Sequence, residues 1–513
     1  MPRKPKAKNT LSAGERVALF EAEQEQKRRA MTDDGASSSN KDEKAVTEEP
    51  VVVKSEAVKP EKARVCKPKP QSATVRVDLS ILAGEIKPMH GMCNGPVSYG
   101  ADISDAFREI GVPYIRFDGA DTAAGGYAVD VSKIFQNLDR DPSDPDNYSF
   151  ELTDKYVESA LLTGAKVIYR LGESRDLLGT ISDKTYDDLD LLSRICVNII
   201  RHYNEGWANG YHFDIQYFEL WNGGEDSKRD IEIYGRLANA VKMHDESIRV
   251  GGMCYGDATK SRELLRACQK HRYPIDFLTV ESFGADPSRV CGEIESLSMF
   301  AKNQGFAGLE IILGRWMMVD CDILGDTPLQ KALRVNDPRT RDMRRELALS
   351  ARSVKGAAYA AAMMLELNAV DDIVGACFFD AQPAISSFCS LTDRFGMPEK
   401  PFYAFRSFGE LYRARNAVLC TVDRQDGFAH SGIYASAALS DGGEGIIMLA
   451  SFGGCGVVDL RIDGITDEQY SADVYMLDGV KNMELADSVS LSGMKKRLVL
   501  NVSEYGAVLI KLH

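Results

Sequence analysis

Short apolar runs alternate along residues 88–379 with longer stretches whose apolar positions recur every three to four residues. The runs fall at 88–93, 114–118, 166–171, 215–221, 248–254, 275–281, 309–313 and 374–379. The periodic stretches between them predict helices at 103–110, 153–163, 186–204, 230–245, 260–271, 290–303 and 344–367. Brief apolar runs alternating with helix-length segments mark a parallel sheet covered by helices. Eight of them over about 300 residues suit a (β/α)8 TIM barrel, for which ~250 residues is typical before insertions. An open doubly wound sheet is the alternative, but no G-x-G-x-x-G opens any of these helices, so a dinucleotide site has no support.

The texture changes on both sides of this region. After a last helix at 402–413 come short alternating runs at 445–451, 456–462, 472–477, 497–500 and 508–512. Asp441-Gly442-Gly443, Gly453-Gly454, Asp463-Gly464 and Asp478-Gly479 stand between them. That rhythm predicts a C-terminal β-sandwich over 416–513. Ahead of the barrel, 74–82 alternates like a strand with no helix following it, which makes it a candidate for the same sandwich. Residues 1–72 are rich in Ser, Glu, Lys and Pro and predict a disordered, charged tail with one short helix through Arg29. The barrel domain is therefore expected over 73–415.

Charge narrows the function classes. The chain of 513 residues has a formal net charge of −14. The first 72 residues carry +4 (16 Lys and Arg against 12 Asp and Glu), so the remainder carries −18. An acidic body lacks the basic face that a phosphate backbone requires, so no nucleic-acid partner is expected. No run approaches the ~18 apolar residues of a membrane span, and the basic N-terminus is followed by no apolar core of a signal peptide. The eleven cysteines are scattered without a C-x-x-C pair, which argues for buried thiols in a reducing compartment, hence a cytoplasmic protein, and against structural zinc. No metal site and no cofactor are expected.

A barrel carries its chemistry at the C-terminal ends of its strands. Read in turn, those ends offer His90 and Asn94, then Asp118 and Asp121, then Glu173, then Trp221 and Asn222. Further on come Glu281 and Phe283, Arg315 and Trp316, and finally Asp380 and Gln382. Aromatic faces with amides and carboxylates suit a carbohydrate, the rings covering its apolar side and the polar groups taking its hydroxyls. Any one of these residues alone would be an ordinary strand cap or core group.

Several ordered segments resemble glycoside hydrolase family 39, the β-xylosidases and α-L-iduronidases. They are H-G-M-C-N-G-P from His90, D-V-S-K-I-F from Asp130, D-P-S-D-P-D-N-Y-S-F from Asp141, and Y-R-L-G-E-S from Tyr169. Y-F-E-L-W-N from Tyr217, D-F-L from Asp276 and K-P-F-Y-A-F from Lys400 complete the set. The resemblance runs from about Asp78 to the end and implies a barrel with a β-sandwich. It also implies retaining hydrolysis by two carboxyl groups ~5–5.5 Å apart. In the family the acid/base follows the Asn of strand four, where this chain has Gly223 after Asn222. The nucleophile precedes the aromatic of strand seven, where this chain has Arg315 before Trp316. Glycine has no proton to give, and arginine has no acceptor and cannot form a glycosyl ester.

Three readings follow. In the first, the protein is a catalytically degenerate sugar-binding or scaffolding relative of these enzymes, its Arg315 suited to an acidic sugar. In the second, displaced carboxylates Glu225 and Glu281 act as an inverting pair, which needs a gap of ~6.5–9.5 Å. In the third, the cleft is vestigial, and the tail and sandwich form an interaction module. Glu281 paired with Arg315 and Glu225 in a solvated loop would fit the first reading better than the second.

Overall fold

The structure is a computed structural model of the whole chain. It describes residues 71–98, 101–118, 129–176, 179–180, 186–221, 227–332, 338–381, 391–393, 395–424, 432–454, 456–465, 469–492 and 496–513. Most of the expected tail lies outside the described residues, as do Asn222, Gly223 and Glu225, together with Asp121 and Gln382.

The first strand, β1 (Gln71–Glu85), is followed by eight strands of the barrel: β2 (Gly91–Cys93), β3 (Tyr114–Arg116), β4 (Lys166–Leu171), β5 (Tyr217–Leu220), β6 (Arg249–Tyr255), β7 (Phe277–Gly284), β8 (Glu310–Met318) and β9 (Ile373–Phe378). They pair in parallel in chain order, and β9 closes on β2 through Cys377↔Gly91 and Phe378↔Met92. The main helices around them are α1 (Ser104–Ile110), α2 (Glu151–Leu161), α3 (Leu189–Glu205), α4 (Ser227–His244), α5 (Ala258–His271), α6 (Pro287–Asn303), α7 (Pro338–Arg352), α8 (Val354–Asn368) and α9 (Lys400–Ala414).

All eight predicted runs coincide with barrel strands. Several helices begin two or three residues before the apolar periodicity does. Two of these starts carry a side-chain cap: Asp257 accepts from Thr259 N, and Asp286 accepts from Arg289 N with Pro287 following it. Each such cap contributes about 1 kcal/mol. The single helix expected at 344–367 is two, α7 and α8. Ser353 breaks it with extended backbone and caps α8 by accepting from Lys355 N.

Helix α8 reads V-K-G-A-A-Y-A-A-A-M-M-L-E-L-N, and Gly356 to Leu365 is buried without interruption. A helix apolar all round must be enclosed on every side. Here the barrel lies on one side and the appended sheet on the other, and the run of alanines lets the two approach.

That sheet contains β1 and eight later strands: β10 (Asn416–Arg424), β11 (Ile433–Leu439), β12 (Gly445–Phe452), β13 (Gly456–Asp463), β14 (Gln469–Leu477), β15 (Asn482–Ser492), β16 (Arg497–Val502) and β17 (Tyr505–Leu512). Its hydrogen-bonded order is β15-β14-β17-β12-β11-β10-β1-β13-β16. β1 runs antiparallel to β10 and parallel to β13. The sandwich is thus one continuous sheet curled around its own core, with Val75, Leu460, Val474 and Leu498 from distant strands meeting in a single cluster. Strand β12 shows why it sits between two cores. Ile447 and Leu449 join the inner cluster, whereas Ile446, Met448 and Ala450 join the barrel's. With both faces buried, it reads as an unbroken apolar run.

Candidate functional site

Successive residues of a strand point to opposite faces, so one charged residue inside an apolar run marks the barrel's inner side. Arg116, Arg170 and Glu219 are such residues, each fully buried. Arg116 Nε and Nη2 donate to Glu219 Oε2 and Oε1 at 2.6 and 2.9 Å, and its Nη1 donates to Asp118 Oδ1 at 2.7 Å. Thr279 Oγ1 donates to Glu219 Oε1 at 2.9 Å.

One layer nearer the strand ends lie Asp118, Glu281 and Arg315. Glu281 and Arg315 are register partners on β7 and β8, a bulge having shifted both strands by one residue relative to each other just before them. Arg315 Nη1 donates to Glu281 Oε2 at 3.1 Å. Arg315 Nε forms an ion pair with Asp118 Oδ2 at 3.1 Å, without the alignment of a hydrogen bond. Phe379 and Phe283 cover the guanidinium, with ring centroids 4.4 and 5.6 Å from Cζ. Asn94 holds the far side of Asp118: its Oδ1 accepts from Asp118 N at 2.9 Å, and its Nδ2 donates to Asp380 Oδ1 at 3.4 Å.

The charges act on one another strongly because water is excluded. Burial alone would raise the Asp118 carboxyl, but the Arg315 and Arg116 guanidinium groups outweigh it and hold Asp118 below the usual carboxylate range. Burial likewise works against a charged Arg315, and Asp118 and Glu281 reverse it, so the guanidinium is held more firmly protonated than usual. Cys93 and Cys254 lie beside the network, and burial pushes both thiols up, so neither is a ready thiolate.

The strand ends also carry unusual backbone. Asn94 (φ 59°), Trp221 (φ 64°) and Cys254 (φ 41°) are left-handed. Asparagine tolerates that conformation, whereas Trp and Cys hold it at a cost of about 1–3 kcal/mol each.

Of the expected site residues, Asn94, Asp118, Glu281, Phe283, Arg315 and Asp380 come together in this way. Three do not join the cluster. His90 precedes β2 and so lies at the opposite end of the barrel, where its Nε2 faces Gly111 O at 3.1 Å and its ring packs on Phe408 and Tyr412. Burial first, with Arg413 adding to it, pushes that imidazole down to about 3, against the pull of the Gly111 carbonyl. Trp316, next to inward-facing Arg315, faces outward and is fully buried against Tyr359, Phe378 and Phe405. Glu173 ends β4 but is buried, and both its oxygens are taken. Oε1 accepts from Ser132 N and Tyr186 OH, and Oε2 accepts from Ser132 Oγ.

Trp221 stands between these cases, half-buried, with its Nε1 donating to Asp230 Oδ1 at 3.1 Å. Asn222 and Glu225 follow it outside the described residues. Glu219, which lies inside its strand, and Phe379, which reads as one more apolar residue of its run, were not among the expected site residues. The signal for Glu219 was present as a charge flanked by Phe218 and Leu220. Among the described residues, no group of three or more His, Cys, Asp or Glu side chains is placed to hold a metal, and no helix is long and apolar enough to cross a membrane.

No protein-family model matches the chain. A β-xylosidase from Caldicellulosiruptor saccharolyticus is 26% identical over 201 residues, a match covering 35% of this chain and 38% of that protein's length. Solved structures superpose over much more. A glucosidase from Croceicoccus marinus aligns with TM-score 0.69 and 19% identity over 86% of this chain and 98% of its own. A GH39 enzyme from Xanthomonas axonopodis pv. citri gives 0.62 and 15% over 88% and 99%. A monomeric β-xylosidase from Caulobacter crescentus gives 0.59 and 15% over 86% and 99%. At these identities the likeness is one of fold. Barrel and appended sheet together have the architecture of glycoside hydrolase family 39, in keeping with the motifs along the chain.

Proposed function

We propose that this chain is a family 39-like carbohydrate-active protein that holds a sugar at the barrel mouth and has lost hydrolysis. One observation carries the reading: Arg315, at the position that the motifs align with the nucleophile, lies inside the barrel between Asp118 and Glu281. A guanidinium there cannot attack an anomeric carbon, and its charge opposes an oxocarbenium-like transition state. It also engages Glu281, the described carboxylate best placed to substitute. Gly223, aligned with the acid/base, offers no proton.

The second reading, hydrolysis by Glu225 and Glu281, is favoured by one feature. The Glu281 side chain is 23% exposed, so it reaches solvent at the mouth. The two readings separate in an assay of purified protein on aryl xylosides, arabinosides and uronides, with Glu281→Gln and Glu225→Gln beside it. Turnover that collapses in either variant overturns the first reading, and turnover at background in all three supports it.

The acidic-sugar expectation took Arg315 as a mouth-facing cation balanced by Glu281, and Asp118 pairs with it as well. Its two carboxylate partners offset that charge, leaving acidic sugars no evident electrostatic advantage. Calorimetry with neutral and acidic oligosaccharides reads this directly. The eight described cysteines are all free thiols, which supports a cytoplasmic setting. A scaffolding role for the tail is tested by deleting residues 1–70 and measuring sugar binding, which that role leaves unchanged.

A further inference from the structure

The Arg315–Glu281 pair is joined by one bond, and the atoms left over are a matched donor and acceptor. Guanidinium and carboxylate often meet as a fork with two parallel bonds. Here only Nη1 and Oε2 are joined. Arg315 Nη2 is buried without a hydrogen-bond partner, and Glu281 Oε1 makes no hydrogen bond among the described residues. Gly256 lets the backbone approach the carboxylate, since a Cβ there would stand 2.7 Å from Oε1.

Charge decides what sort of group fits. Arg116 and Arg315 are linked to Asp118, Glu219 and Glu281 in one network, so three carboxylates face two guanidinium groups. The excess is one negative charge. Asp118 and Arg116 are fully enclosed and Arg315 is nearly so, whereas Glu281 is the member that reaches solvent. The network therefore meets a ligand through a carboxylate oxygen.

Building on the sugar-binding reading above, we propose that the mouth selects an amino sugar, with its ammonium on Glu281. The ammonium donates to the solvent-reaching carboxylate and supplies the missing positive charge. A neutral sugar lacks that charge, and a uronate sets its carboxylate against Glu281.

The test is calorimetric titration of the full chain at pH 6.5 with glucosamine, glucose, N-acetylglucosamine and glucuronate. Glucosamine is expected to bind about tenfold more tightly than glucose, the scale of one added charge-assisted hydrogen bond, with glucuronate weakest. Glu281→Gln should erase the difference between glucosamine and glucose. Should that variant fold poorly, a pH series on the unaltered chain serves instead, because the preference must fade as the amine deprotonates above about pH 8. Equal binding of glucosamine and glucose, tighter glucuronate, a preference that survives in Glu281→Gln or at high pH, or binding of none of the four sugars overturns the proposal. Glucose binding without amine preference leaves the sugar-binding reading intact. Hydrolysis of aryl glycosides overturns the loss of catalysis and leaves the amine preference to stand or fall on its own titration.

Discussion

Replacing Arg315 with methionine keeps an unbranched stem in the same space and removes only the guanidinium. What remains is Asp118, fully enclosed, with Arg116 as its one ionic partner, and Glu281, which reaches water. Breaking a buried pair by deleting one partner costs about 3–5 kcal/mol, because the other charge stays buried. Arg116 still serves Asp118, which argues for the low end, about 3 kcal/mol, including the lost stacking on Phe379. Glu281→Gln should cost far less, below about 1 kcal/mol, since Arg315 keeps Asp118 and a solvent-reaching carboxylate contributes little. Asp118→Asn, which deprives two arginines at once, should cost more than either.

Acid titration gives an independent reading of the same network. Asp118 is held below its ordinary value in the folded chain, so its stabilisation is complete above the unfolded value of about 4 and disappears as pH falls through the folded one. Without Arg315 that depression shrinks, so Arg315→Met should lose less stability to acid below about pH 4, and the loss should level off at higher pH than in the parent. Urea denaturation midpoints across pH, with the slope checked for constancy, measure both effects. A methionine variant as stable as the parent, or a Glu281→Gln variant as damaged as Arg315→Met, would refute the claim that Arg315 is held chiefly by its buried partner.

Arg315→Glu, which restores a carboxylate at the aligned position, should fall below Arg315→Met in stability, because it sets three carboxylates together. Its hydrolysis of aryl xylosides should stay at background while Gly223 remains. His90 titrates near 3 when folded against about 6.5 unfolded, so the unfolded chain takes up the proton first and stability falls as pH drops below 6.5. By pH 5 the loss is about 2 kcal/mol. His90→Gln, which can still donate to the Gly111 carbonyl and does not titrate, should flatten that part of the urea-midpoint profile. Ala361→Leu, in the enclosed face of α8, should cost about 1–3 kcal/mol through overpacking, read as a lower thermal midpoint.

The barrel was legible because each of its strands is buried on both faces and interrupts helical periodicity, a pattern that needs no tertiary knowledge. The same reasoning explains where it failed. Trp316 and Arg315 are adjacent, and the sequence alone does not say which of two neighbours faces inward, since the bulge before Arg315 displaces the alternation by one. His90 was placed at the mouth because the run 88–93 was read as strand to its start, whereas pairing begins only at Gly91. Glu173 has the residue type of a ligand group, but Ser132, some forty residues earlier, and Tyr186 take its oxygens, and no local pattern announces such partners. Arg315 itself was visible as a misplaced cation. Its two ion pairs could be guessed only for Glu281, because Asp118 reaches it across the barrel from β3. The third dimension therefore changed the sense of the residue. An arginine that reads in sequence as an anion-binding group balanced by Glu281 becomes, with Asp118 also on it, part of a network whose exposed end is negative. The charge a ligand should carry is thereby reversed.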